Sequence, residues 1–374
     1  MRLLRTFRSP VIAVFALLVG SASSARAQFA TSDPVQRGSP TSLPAADGPP
    51  PANMTKLYEP AFTTTRPVRY ARFDGNNYKN GNDDGGENGN GEKEPKHIRD
   101  NAFLVEEAFN QEQGQAQHIL NWVNLWDRTP QGRTRDFTWN YTLELPLGSQ
   151  AHQFSFTPQV LSAFEKPRGD SATQPGGIGD TFLSYRYQLL ADDDFLWCAP
   201  RLTLIIPTGD ERFGLGTGEL GYQFNLPISR YGDRFDYHFN AGFTYTPNVS
   251  AFLTPDIVPG GNLPAIARRS PRHDLHGYNL GASVFWKPKT NLNFFVEGLA
   301  LWNQEIDDRG FRGHTTQVFV NPGVRYAVCQ FEEVEWIIGV SAPVGLTKNT
   351  PDIGLFVYMS VEHAFRKIGK TGRE

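Results

Sequence analysis

Phe137-Thr138-Trp139-Asn140-Tyr141-Thr142-Leu143-Glu144-Leu145 decides the fold. Every second residue is large and apolar, and every residue between is polar. That period of two is the signature of a β-strand with one apolar and one polar face. The pattern recurs along the chain: Phe154, Phe156, Pro158, Val160; Leu183, Tyr185, Tyr187, Leu189; Leu196, Cys198, Pro200, Leu202, Leu204, Ile206; and Leu220, Tyr222, Phe224, Leu226. It continues through Phe235, Tyr237, Phe239, Ala241, Phe243, Tyr245; Tyr278, Leu280, Ala282, Val284, Trp286; and Val318, Val320, Pro322, Val324, Tyr326. Trp336, Ile338, Val340 and then Ile353, Leu355, Val357, Met359, Val361, Phe365 complete it. A less regular stretch over residues 116–126 precedes these. The stretch around Phe294–Trp302 leaves both parities open: Phe294, Val296 and Trp302 share one, Phe295, Leu299 and Leu301 the other. The sum is about 12 strands, an even number, as single-chain bacterial outer-membrane barrels have.

The connections support the same architecture. Those near 127–135, 165–178, 207–217, 247–275, 303–314 and 344–351 read as long. Those near 146–150, 191–194, 229–233, 287–291 and 329–333 read as short. Such alternation predicts long extracellular loops and short periplasmic turns. A strand of about 11 residues tilted about 40° covers roughly the ~25 Å apolar band of an outer membrane. The expected fold is therefore all-β, an antiparallel transmembrane β-barrel over 115–365. A mean hydropathy of −0.42 disfavours membrane helices and leaves alternating strands untouched.

The N-terminus reads as a signal peptide over 1–27. Arg2, Arg5 and Arg8 form the basic region, Val11 to Val19 the short apolar region, and Ala25-Arg26-Ala27 the cleavage site. No cysteine stands directly after the apolar region, which argues against a lipoprotein. Residues 28–99 form a Pro/Gly/Asn-rich leader with too little apolar area to offset the entropy of ordering. Within it Asn80, Asn82, Asp84 and Gly85 imitate an EF-hand loop, but Gly91 stands where the closing Glu belongs. Residues 100–114 read as a short helix capped by Asp100 or Asn101, with Leu104, Val105, Ala108 and Phe109 on one face. It packs on the periplasmic rim, plugs the lumen or lies as a marginal surface helix. Residues 366–374 are a basic tail after the final Phe365.

Gly216-Thr217-Gly218-Glu219-Leu220-Gly221 matches a dinucleotide fingerprint, but it opens an alternating strand, not a helix. No sequence motif for a hydrolase, zinc site or phosphate loop is present, and His363 alone suggests lipid-face catalysis. The reading is of no enzyme, no cofactor and no metal. A net charge of −3 speaks against nucleic acid as partner. Cys198 and Cys329 fall on strands far apart and read as free thiols. The polar parity carries Glu144, Asp180, Arg186, Arg201, Glu219, Asp236, His238, Glu297, Arg325, Glu335 and Glu362 as candidates to line the lumen. Inward charges of both signs either border a water-filled path or pair with one another and fill a narrow lumen.

Gly177-Ile178-Gly179-Asp180, Pro207-Thr208-Gly209-Asp210 and Gly216-Thr217-Gly218, in this order and spacing, resemble the outer-membrane transporters named for the phenol meta-cleavage degradation pathway. The resemblance covers about 116–365. It implies a barrel that passes small, often hydrophobic or aromatic, compounds, and it fixes no substrate-binding residue. The expected function is an outer-membrane channel or transporter for small organic molecules, its partners being outer-membrane lipid, solutes and the barrel-assembly machinery. The alternatives are a closed structural or adhesive barrel and, more remotely, a lipid-modifying barrel enzyme.

Overall fold

The computed structural model describes residues 98, 100, 103–130, 132–169, 172–191, 195–253, 268–307, 310–331 and 334–365. The signal peptide, almost all of the leader and the basic tail expected from the sequence lie outside the described residues. Twelve crossings form one antiparallel sheet. In chain order they are β1 (Gln115–Thr129), β2 (Gly132–Leu147), β3 (Ser149–Thr157 and Gln159–Pro167), β4 (Gly176–Ile178 and Thr181–Tyr187), β5 (Trp197–Cys198 and Arg201–Ile206) and β6 (Gly221–Arg230). Then follow β7 (Phe235–Val249), β8 (His273–Lys289), β9 (Leu292–Ile306), β10 (Arg312–Phe331), β11 (Val334–Ser341 and Val344–Gly345) and β12 (Ile353–Ala364). Neighbours in sequence are neighbours in the sheet. β12 pairs with β1 from Gln115↔Ala364 to Trp126↔Ile353, which closes the sheet into a barrel.

Three of the four interrupted crossings carry a proline at the break: Pro158, Pro200 and Pro343. Proline offers no N–H to a ladder, and a bend is where that loss is tolerated. Their carbonyls still serve the sheet. Pro158 O accepts from Tyr141 N at 3.3 Å, Pro200 O from Tyr187 N at 3.0 Å and Pro343 O from Gly354 N at 2.7 Å.

The alternation read from the sequence sets the two faces. The large apolar parity points away from the lumen and is bare: Leu202 is 59% exposed, Val296 52% and Tyr237 51%. A belt of apolar side chains turned outward on a closed barrel is a lipid-facing surface. The chain is thus a transmembrane barrel of the outer-membrane kind. Aromatic clusters mark both rims. His118 stacks between Tyr141 and His363 at one end, and Phe243, Tyr245, His276 and Tyr278 stack at the other.

β9 resolves with Phe294, Val296 and Trp302 outward and Glu297 inward. Its second apolar parity, Phe295, Leu299 and Leu301, is buried in the lumen. Loop lengths alternate less strictly than expected. The first outer connection, expected long near 127–135, is a tight hairpin, with Thr129 facing Gly132. The polar residues there continue both strands of the hairpin. The inner connection between β4 and β5 is longer than the outer one between β9 and β10. Cys198 and Cys329 are free.

Leu280 faces outward near the middle of β8. Leu280→Arg is expected to cost about 2–4 kcal/mol of folding free energy in a bilayer, the cost of a midplane cation on a barrel's lipid face. Reversible unfolding from lipid vesicles measures it, and an unchanged stability would place that face against protein or water instead.

Candidate functional site

The lumen is occupied by the chain's own N-terminal segment. Residues 103–113 carry no helix, which corrects the expectation of a helix over 100–114. Seven of the amides that a helix would pair internally are taken by side chains projecting from the wall. Glu297 accepts from the N–H groups of Phe103, Leu104 and Val105 at 3.1, 2.9 and 3.3 Å. Glu106 N donates to Asn240 Oδ1 at 2.6 Å, Ala108 N to Ser229 Oγ at 2.8 Å, Asn110 N to Gln188 Oε1 at 2.9 Å and Gln111 N to Gln153 Oε1 at 2.7 Å.

The carbonyls are met in the same way. Asn240 Nδ2 donates to Glu106 O at 2.8 Å and Gln188 Nε2 to Ala108 O at 2.8 Å. Arg186 donates to Glu107 O and Phe109 O at 3.2 and 2.8 Å. Arg325 donates to Asp100 O at 2.7 Å. Such contacts suit a segment without regular structure, because the wall supplies donors and acceptors along its path.

Arginine pairs tie the segment's acids to the wall. Arg325 Nη1 lies 2.8 Å from Glu107 Oε1, and its guanidinium sits 4.3 Å from the Phe285 ring centroid. Arg201 Nη2 lies 2.6 Å from Glu106 Oε1. Apolar packing does the rest. Phe103 sits 4.5 Å from Phe295, 4.9 Å from Phe356 and 5.2 Å from Tyr358, ring centre to ring centre. Leu104 packs on Leu299, Leu301 and Phe319, and Phe109 on Trp197. Gly114, at φ 90°, then turns the segment into β1.

The expected lumen residues fall into three groups. Glu144, Arg186, Arg201, His238, Glu297 and Arg325 surround the segment. Glu144 pairs with Arg186 at 3.5 Å, and His238 Nδ1 lies 2.8 Å from Ser229 Oγ. Asp236, Glu335 and Glu362 lie near the periplasmic rim. Asp236 binds Lys287 Nζ at 2.8 Å, and Glu335 accepts from Gln330 at 2.9 Å across the sheet from Glu362. Asp180 sits in the break within β4, and Glu219 in an outer loop. Glu219 sits in the connection before β6, against Thr217, not on a strand face as expected.

Asp180 joins the three motifs quoted above. Its carboxylate accepts from Gly209 N at 3.0 Å and Thr217 N at 3.1 Å, while Thr208 Oγ1 donates to Gly179 O at 2.7 Å. A Cβ on Gly216 would meet Asp180 Oδ1 at 2.2 Å, so the close approach requires glycine there. Asp210 caps the short turn Glu211–Phe213, and Glu211 pairs with Arg269 of the next outer loop. Arg212 hydrogen-bonds Asp210 and holds its carboxyl below the usual carboxylate range.

His363 lies at the outer surface of the rim, its Nε2 3.0 Å from that of His118, whose Nδ1 faces the Tyr141 hydroxyl at 2.7 Å. The neutral groups that grip the segment, Gln153, Gln188, Ser229 and Asn240, were not among the charged candidates. Their signal was an amide or hydroxyl repeatedly on the polar parity.

No family model and no curated protein matches the sequence. Among solved structures, the fold is similar to an outer membrane channel from Pseudomonas putida F1, at 11% identity over 69% of this chain and 98% of that one, with a TM-score of 0.48. It is also similar to the β domain of the Bordetella autotransporter BrkA, at 11% identity over 67% and 98%, TM-score 0.42. A FadL homologue from Pseudomonas aeruginosa matches at 9% identity over 67% and 90%, TM-score 0.34.

Glu297→Gln removes the charge that three backbone donors share and turns an amide NH₂ toward them. Hydrogen bonds to a charged group contribute about 1.5–3 kcal/mol. Amide exchange at Phe103, Leu104 and Val105 is therefore expected to accelerate by roughly tenfold or more. Unchanged protection would show that Glu297 does not hold the segment.

Proposed function

We propose that the protein is a passive outer-membrane channel for small organic molecules, closed at rest by residues 98–114 of its own chain and doing no chemistry. The observation that supports this is the kind of contact that holds the segment. A lumen that only had to be filled would be filled best by apolar side chains, since buried ion pairs seldom stabilise more than hydrophobic packing of the same volume. This wall instead keeps Glu297, Arg186, Arg325, Asn240 and Gln188 pointing inward, groups that water satisfies once the segment leaves. The wall is built to be wet as well as plugged. The resemblance to the transporters named for the phenol meta-cleavage pathway adds small hydrophobic or aromatic compounds as cargo, with membrane lipid, solute and the assembly machinery as partners.

A permanently closed anchor is the second reading, because the same contacts would also serve a barrel that never opens. Deleting residues 28–112 separates the two. In planar bilayers the deleted barrel is expected to show stable steps several-fold larger than the full chain. Conductance no greater than that of the full chain would overturn the channel reading in favour of the anchor.

A further inference from the structure

On the side of the segment away from the periplasmic turns, the lumen holds a cavity of ≈ 140 Å³. An apolar cavity of roughly 150 Å³ holds benzene, so this one matches a single six-membered ring. Its two sides differ in chemistry. Strands β2 to β8 contribute mainly hydroxyls and amides. Strands β9, β12 and β1, with the segment's own Phe103 to Val105, contribute mainly hydrocarbon.

We propose that this cavity is a binding site for small neutral ring compounds with hydroxyl groups along one edge and hydrocarbon along the other. The proposal rests on the channel reading and names the class of solute that the closed lumen holds.

Three features set that class. On the polar side, Thr142 Oγ1 lies 2.9 Å from Thr157 Oγ1, and Ser184 Oγ lies 2.8 Å from Thr203 Oγ1. Each hydroxyl has one proton and two lone pairs, so a mutually bonded pair keeps a donor and acceptors for a ligand. Two such pairs on neighbouring strands suit a vicinal diol. On the opposite side, Leu299 and Leu301 offer no polar partner, so a ring hydroxylated all round would lose hydrogen bonds there.

The third feature is charge. The cations and anions that line the cavity are matched: Arg201 with Glu106 at 2.6 Å and Arg186 with Glu144 at 3.5 Å. An ionic solute would be desolvated with no unmatched counter-charge to receive it.

Calorimetry on the full chain in detergent tests this with trans-1,2-cyclohexanediol, cyclohexanecarboxylate, cyclohexylammonium and inositol. The diol is expected to bind at least about tenfold more tightly than the other three, the size of preference that paired polar groups give. Thr142→Val with Thr203→Val, in a barrel that still folds, is expected to abolish that preference. Equal binding of the charged rings, equal binding of inositol, or no binding of the diol would each overturn the proposal. The deletion experiment is independent. If the deleted barrel conducts but the diol is not preferred, only the solute class falls. If the diol binds and the deleted barrel stays closed, the site stands and the channel reading falls.

Discussion

A chain inside a bilayer has no water to satisfy its polar groups, so each must find its partner within the protein. That constraint works here twice. In the wall it demands a sheet without an edge, met where β12 pairs with β1 along twelve consecutive residues of each. In the lumen it demands partners for the inward side chains, and the N-terminal segment supplies many of them. Glu297 is 0% exposed and Arg325 1%, and each has partners in the segment, Glu297 at Phe103 to Val105 and Arg325 at Asp100 and Glu107. Segment and wall therefore define one another. The segment forgoes a helix because the wall pairs its backbone, and the wall tolerates buried charge because the segment's acids pair with Arg325 and Arg201 and its amides bond Glu297.

The barrel was legible because a lipid-facing strand must alternate, and one polar face plus one apolar face leaves a period of two in the sequence. The outward parities read from the sequence stand in the structure apart from single buried positions such as Cys198, Ala241 and Val361, and they include Phe294, Val296 and Trp302 in β9. What alternation cannot reveal is a lumen that is itself partly apolar. Phe295, Leu299 and Leu301 made β9 ambiguous because both of its faces are covered, one by lipid and the other by Phe103 and Leu104. The irregularity of β1 has the same origin, since Ile119, Val123 and Leu125 point inward to the cluster around Phe103. Doubtful parity was thus a mark of the plug.

The segment itself misled for a related reason. Leu104, Val105, Ala108 and Phe109 at helical spacing, with acids and a capping residue, satisfy the local rules for a helix. Local rules assume that a backbone has only itself and water to bond. Inside the barrel it meets Asn240, Gln188 and Arg186, and tertiary partners override propensity. Similarly, Asp180 looked like one more inward charge. Its role emerges only when Gly209 and Thr217, distant in sequence, bring their amides to it.

The central claim is that residues 98–114 close the lumen and must move for solute to pass. A reversible tether tests it most directly. Gly281 in β8 lies where an added Cβ would sit 3.0 Å from Val105 Cγ2, so Val105→Cys with Gly281→Cys places two thiols within bonding reach. The measurement is single-channel conductance of this variant before and after reduction. The account predicts a silent oxidised channel in which openings appear on reduction and vanish on reoxidation. Openings of the same size and frequency in both states would contradict it.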